Sequence, residues 1–247
     1  MSAIAVVGGG PAADHLASGL AALGAPVCMV TAPGSDGAAV DRPVPSVAWD
    51  MSGPDGLVRA LAEAEEQMGR VGTAVWAFTE PTSVVPAPLC GVVESDWDVM
   101  AERPIRRYLA FLQGTWAYFD GRGGRVVALV PTLSMVGAPS GLVAWATAAE
   151  GQRALSKVAA RNWGLVDVTV NCLAVAPERL AWGDPDPDTG DPGERPLQRP
   201  GLPPVSLRRA ATLADDVASV VLALATAGME SVTGATIGVD GGVWMAP

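Results

Sequence analysis

Cysteine is scarce and scattered. Cys28, Cys90 and Cys172 stand singly, with no C-x-x-C pair and an odd count, so neither a disulfide framework nor a zinc site is indicated and a cytoplasmic setting is expected. Basic charge is short as well: 16 Lys and Arg face 26 Asp and Glu, for a formal charge of -10. Nucleic acid and anionic membrane are poor partners for such a chain, because both need a surplus of Lys and Arg on at least one face. A small molecule or another protein fits better. No apolar run approaches the ~20 residues that span a bilayer. The apolar start at Ile4–Val7 is too short for a signal-peptide core and has no basic region before it, so it reads as a buried first strand. Histidine occurs once, at His15, and tyrosine only at Tyr108 and Tyr118.

Apolar residues are plentiful, 49% of the 247 residues against 17% charged, which is enough for a sheet covered on both faces. Strand-length apolar runs alternate with helical periodicity, the mark of repeated βαβ units. Strands are expected at Ala3–Val7, Pro26–Val30, Val44–Trp49, Thr73–Phe78, Arg125–Val130, Val166–Leu173 and Thr236–Val239. Helices are expected at Asp14–Leu23, Gly56–Met68, Trp97–Tyr118, Gly141–Asn162 and Leu213–Thr226. The fold class is therefore α/β, a Rossmann-type doubly wound parallel sheet of about seven strands, with residues 1–247 read as one domain. Two Pro-rich stretches break the rhythm. Pro81–Pro88 follows the fourth strand, and Pro185–Pro204 lies within a Pro/Gly/Asp-rich loop at 183–206; neither suits a regular ladder or helix. The second is a candidate lid or a surface excursion, since loops after strand ends carry ligands in open parallel sheets.

From Thr212 onward the ordered set Asp215-Asp216-Val217-Ala218, Ser231-Val232-Thr233-Gly234-Ala235-Thr236 and Val239-Asp240-Gly241-Gly242, preceded by Arg208-Arg209-Ala210, closely resembles the carboxyl-terminal part of short-chain dehydrogenase/reductases of the classical, ketoreductase-like type. Asp50-Met51-Ser52, Trp97-Asp98, Arg122-Gly123-Gly124-Arg125-Val126-Val127 and Asn171 extend the resemblance over nearly the whole chain.

The resemblance implies a Tyr, Lys, Ser and Asn tetrad, in which a tuned phenol passes a proton to or from the substrate oxygen. Counted along the chain, the Tyr position falls on Trp145, the Lys on Ala149, the Ser on Thr132 and the Asn on Pro104. An indole N–H does not exchange protons near neutral pH, and only Thr132 keeps a hydroxyl. Neither tyrosine lies near that helix, and Lys157 lies two turns too late.

The cofactor loop departs too. The family pattern T-G-x-x-x-G-x-G lets the backbone approach a pyrophosphate at a helix amino terminus. Here Val7-Gly8-Gly9-Gly10-Pro11-Ala12-Ala13-Asp14-His15 keeps only the first glycines, so Gly8, Gly9 and Gly10 stand as a remnant. A carboxylate at Asp14 about 4 Å from a phosphate would repel it by about 1 kcal/mol in water and about 4 at an effective dielectric of 20. Where the family reads N-N-A-G, this chain reads Trp76-Ala77-Phe78-Thr79, two large rings that either fill the adenosine path or pack in the core. NAD(P) binding is expected to be weakened or lost, and no metal is implied.

Candidate cleft residues are Thr132, Ser134, Trp145, Trp76 and Phe78. His15 beside Asp14 invites reading as a catalytic base, but adjacent helical residues do not face each other and Asp14 suits a first helical turn. Glu150 suits a solvated helix face, and the eight Trp suit core or interface anchors. Three functions follow: a non-catalytic structural or regulatory subunit assembling with an active homologue or with itself as dimer or tetramer; an enzyme reusing the cleft for cyclisation, dehydration or isomerisation of an aromatic, polyketide or acyl-thioester substrate; and an atypical NAD(P)-dependent reductase.

Overall fold

The structure, a computed structural model, describes residues 1–32, 44–137, 141–185, 206–207 and 211–245. Most of the candidate lid at 183–206, and Arg208-Arg209-Ala210, lie outside the described residues.

Seven parallel strands form one sheet in the order β3-β2-β1-β4-β5-β6-β7. They are β1 (Ala3–Val7), β2 (Val27–Thr31), β3 (Ser46–Ala48), β4 (Val71–Trp76), β5 (Gly124–Pro131), β6 (Val168–Val175) and β7 (Thr236–Val239). Every residue of β1, β2, β4 and β6 is buried, as a sheet covered on both faces requires. The helices are α1 (Pro11–Ala22), α2 (Pro54–Met68), α3 (Glu94–Trp97), α4 (Arg103–Phe119), α5 (Val143–Trp163), α6 (Pro177–Trp182) and α7 (Ala218–Ala225). Residues from α2, α4 and α5 pack on one face with Trp76, Phe111 and Phe119. Residues from α1, α6 and α7 pack on the other with Leu16, Leu20, Leu180 and Val221.

The departures from expectation have local causes. The fourth strand runs over Val71–Trp76, two residues earlier than expected: it pairs with β1 from Val71, and Ala77 and Phe78 lie beyond its last paired residue. The sixth begins at Val168 because Asp167 adopts φ 59 and turns the chain out of the preceding 3-10 turn. Pro104 removes an amide near the start of α4, and a π turn at Asp98–Glu102 joins that helix to α3. A second π turn, Leu213–Val217, precedes α7. Pro81–Val84, expected to be irregular, forms a 3-10 turn with proline at its start. The short α6 was not expected at all.

The carboxyl-terminal motifs act as a clasp. Asn171 on β6 donates through Nδ2 to the Val232 carbonyl at 2.7 Å and accepts from Ala235 N at 3.1 Å. Thr233 Oγ1 accepts from Val170 N at 3.1 Å, and Gly234 N donates to the Val170 carbonyl at 2.8 Å. The T-G turn therefore holds β7 in register beside β6.

Helix α1 crosses the π turn before α7 at backbone distance. A Cβ on Gly19 would lie 2.0 Å from the Ala214 carbonyl oxygen. Gly19→Ala should therefore lower the unfolding free energy by about 3 kcal/mol. Gly164→Ala, at an open position with φ -57, should be neutral or stabilising by about 0.5 kcal/mol. Chemical denaturation of the two variants checks the contrast.

Candidate functional site

The chain leaves β1 and β4 in different directions at the strands' carboxyl ends, and between them opens the crevice where doubly wound folds bind ligands. Gly8 is required by this geometry: a Cβ there would lie 2.6 Å from the Ala77 carbonyl oxygen. Gly10, at φ 85, turns the chain into α1, and Pro11 takes the first helical position, where a missing N–H costs nothing.

A second wall comes from the chain after β4. Thr79 is followed by the Pro81–Val84 turn, and this wall is anchored at several points. The Glu80 carboxylate pairs with Arg107 of α4 at 2.5 Å, and the same guanidinium lies 5.3 Å from the centre of the Phe78 ring. Ser83 Oγ donates to the Met100 carbonyl, and Ala87 N donates to the Gly141 carbonyl at 2.8 Å.

The third wall is α6, with Leu180, Ala181 and Trp182. Its end is fixed at Gly183, which has φ 82 and leaves no room for a side chain, since a Cβ would lie 2.4 Å from His15 Nδ1. His15 Nδ1 accepts from Asp184 N at 2.9 Å. The Asp184 carboxylate in turn accepts from Leu213 N at 2.7 Å and Ala214 N at 2.9 Å, and Arg179 Nε stands 3.8 Å away. His15 is thus a fastener between α1 and α6.

Together the walls enclose about 460 Å3, lined by Gly9–Ala12, Thr79, Pro81, Val84–Pro86 and Leu180–Trp182. No ionisable side chain stands among those lining residues.

The residues picked from the sequence are placed differently. Trp145 is 5% exposed and packs in the same cluster as Leu133, Leu142 and Val175; Ala149 and Thr132 are also buried. Thr132 Oγ1 lies 3.1 Å from the Val175 carbonyl and 3.0 Å from Asp240 Oδ2, so its proton is already engaged. Asp240 also accepts from Gly242 N, Val243 N and Trp244 N. Ser134 Oγ donates to the Pro131 carbonyl at 3.2 Å. Pro104 is buried in α4.

Neither Trp76 nor Phe78 is among the residues that line the groove. Trp76 points to the α2/α4 face, with its ring centre 5.1 Å from that of Phe111 and 5.6 Å from those of Tyr108 and Phe78. Glu150 pairs with Arg153 at 2.6 Å on an exposed stretch of α5. Among the described residues no group of three or more His, Cys, Asp or Glu is placed to hold a metal ion, and no helix is long and apolar enough to cross a membrane. The α6 wall was missed because six residues give too little periodicity; Pro177 at the helix start was its only signal.

The two phenols lie on the far face and are not activated. Burial drives Tyr108 well above the ordinary phenol value, against a smaller opposing effect of its hydrogen bond with Ser156. Burial and the hydrogen bond to Glu65 push Tyr118 up to about 12. Ultraviolet difference titration of the folded protein should show almost no tyrosinate at pH 10, the ordinary midpoint. Because these folded values are raised, an unfolded chain releases its phenol protons first, so stability should fall as pH rises from 10 towards about 12. Thr132→Val, which deletes a buried hydrogen bond to a carboxylate, should cost about 1.5 kcal/mol by urea unfolding.

Comparison with known proteins is consistent across the chain. Residues 12–244 match the family described as enoyl-(acyl carrier protein) reductase. An uncharacterized oxidoreductase of Mycobacterium tuberculosis is 28% identical over 194 residues, covering 76% of this chain and 70% of that protein. A short-chain dehydrogenase/reductase of Armillaria gallica is 29% identical over 214 residues, 76% of this chain and 81% of that protein. Among solved structures, a blue fluorescent protein from a metagenomic library, in complex with NADPH, superimposes with a TM-score of 0.74 at 21% identity over 98% of this chain and 97% of that one. A 3-ketoacyl-(acyl-carrier-protein) reductase of Brucella melitensis, complexed with NADH, gives 0.72 at 17% identity over 98% of each. The seven-stranded order, the carboxyl-terminal clasp and a match running from residue 12 to residue 244 agree: this chain belongs to the short-chain dehydrogenase/reductase family.

Proposed function

We propose that this chain is a non-catalytic member of its family, a structural or regulatory subunit that assembles with a homologous, active dehydrogenase. The observation that carries this is the chemistry of the groove, whose described walls hold no ionisable side chain and a single hydroxyl, that of Thr79. Trp145 and Ala149, where the resemblance places the family's Tyr and Lys, are both buried. General acid–base catalysis requires a titratable group within hydrogen-bond reach of the reacting oxygen, and Thr132, the remaining hydroxyl, is held by Asp240.

The same walls fit a nicotinamide dinucleotide poorly. Pro11 removes the first helical N–H, and Ala12 stands buried in the first turn. Among the described residues no Lys or Arg lines the groove to receive a phosphate. No hydride step is therefore derived for this chain. By contrast the outer faces of α4 and α5 expose apolar residues, Leu109 at 41% and Val158 at 59%, which suit burial in an assembly.

Co-expression with a homologous, active dehydrogenase of the same organism should yield a stable complex whose NAD(P)H turnover belongs wholly to the partner and persists when this chain's Trp145 is changed. The chain alone should bind NADPH without saturation in a tryptophan-quenching titration. A well-behaved homo-oligomer that captures no homologue would end the subunit reading, and saturation at micromolar NADPH would restore an atypical reductase.

The open groove favours one second reading, an enzyme that performs a cyclisation, dehydration or isomerisation of an aromatic, polyketide or acyl-thioester substrate without nucleotide. Turnover in the absence of NAD(P)H, lost in Ala181→Trp, would support it.

A further inference from the structure

A groove that has no use for a dinucleotide should close, yet this one is held open from three sides. The Pro81–Pro86 wall is tied to the π turn by Ser83 and Met100 and by Thr82 and Val99, to α4 by Glu80 and Arg107, and to Gly141 through Ala87 N. The α6 wall is tied to α1 by His15 and to the Leu213–Val217 turn by Asp184. The floor between them is set by Gly8, whose hydrogen in place of a side chain allows the ends of β1 and β4 to meet. None of these contacts needs an occupant, so about 460 Å3 remains open by construction. That size falls within the range of about 300–1,000 Å3 typical of small-molecule pockets.

We infer that the groove binds an uncharged, predominantly apolar small molecule. The inference rests on the reading above that a dinucleotide no longer fits. The class follows from the lining. Val84, Val85, Leu180 and three prolines supply apolar surface, and Trp182 supplies an aromatic edge with one N–H. The only hydroxyl among those residues belongs to Thr79. A charged ligand would lose its hydration in this space and find no counter-ion among the described lining residues, a cost of several kcal/mol in real proteins. An apolar body loses nothing comparable and gains by leaving water. One or two acceptor atoms on the ligand would take the hydrogens of Thr79, Trp182 or the first free amides of α1. The formal charge of -10 over the chain further disfavours anions.

Nile red, a neutral planar fluorophore, serves as the probe with the purified full chain. Its emission should shift to the blue and saturate at one equivalent. Excess NADPH should leave the titration unchanged. Val85→Trp, at a position 56% exposed and so harmless to the fold, and Ala181→Trp should each weaken binding by about tenfold or more, with melting curves confirming that both variants remain folded. Non-saturable binding, binding equally tight in both folded variants, or displacement by NADPH would each overturn the inference. Displacement would also remove the dinucleotide argument on which it stands, whereas the first two outcomes would leave the subunit reading untouched, since that is decided by co-purification.

Discussion

The carboxylate of Asp240 is the fixed point of the upper end of this sheet. It is 2% exposed and accepts from four donors: the amides of Gly242, Val243 and Trp244 and the hydroxyl of Thr132. A buried carboxylate without such donors would cost several kcal/mol, so the chain after β7 must coil around it in one way. Gly241 and Gly242, at φ 74 and 86, make that coil possible. Through Thr132 the same group reaches the end of β5, two strands away. The Thr132 hydroxyl is thereby part of the scaffold.

The pattern repeats around the groove. Asp184 caps the turn before α7, His15 receives the amide that follows α6, Ser83 and Glu80 fix the chain after β4, and Asn171 holds the T-G turn. Polar side chains at the carboxyl ends of the strands serve one another and the backbone. What is left facing the opening is apolar surface and the amino end of α1. The walls are fastened to neighbouring elements by contacts that involve no ligand.

Most of the architecture was legible because strand-length apolar runs and helical periods are local signals. The motif from Thr212 to Trp244 was legible because it serves an equally local clasp. The site was harder. Trp76 and Phe78 seemed suited to block the cofactor path, but a strand buried on both faces is apolar throughout, and nothing in the run Val71–Trp76 tells which side faces α4 and which faces α1. The Thr132 hydroxyl looked available because its partner stands 108 residues away in the chain. The contact that ties His15 to Asp184 spans 169 residues. Long-range pairings of single polar atoms leave no periodicity to read. The groove wall at Leu180–Trp182 went unseen for a related reason, since α6 is too short to announce itself.

Arg107 gives the fold a mechanical link. Its stem rises from α4, its guanidinium lies over Phe78 and its charge is matched by Glu80, so one side chain joins a long helix to the chain that forms a groove wall. Beside it, the π turn that carries Met100 and Val99 receives Ser83 and Thr82. A sliding or tilting of α4, whatever applies the force, is delivered to Pro81–Pro86 with little slack. Free energy coupled in this way is reciprocal: a molecule that changes the width of the groove must bias the position of α4 by the same amount that α4 biases its binding.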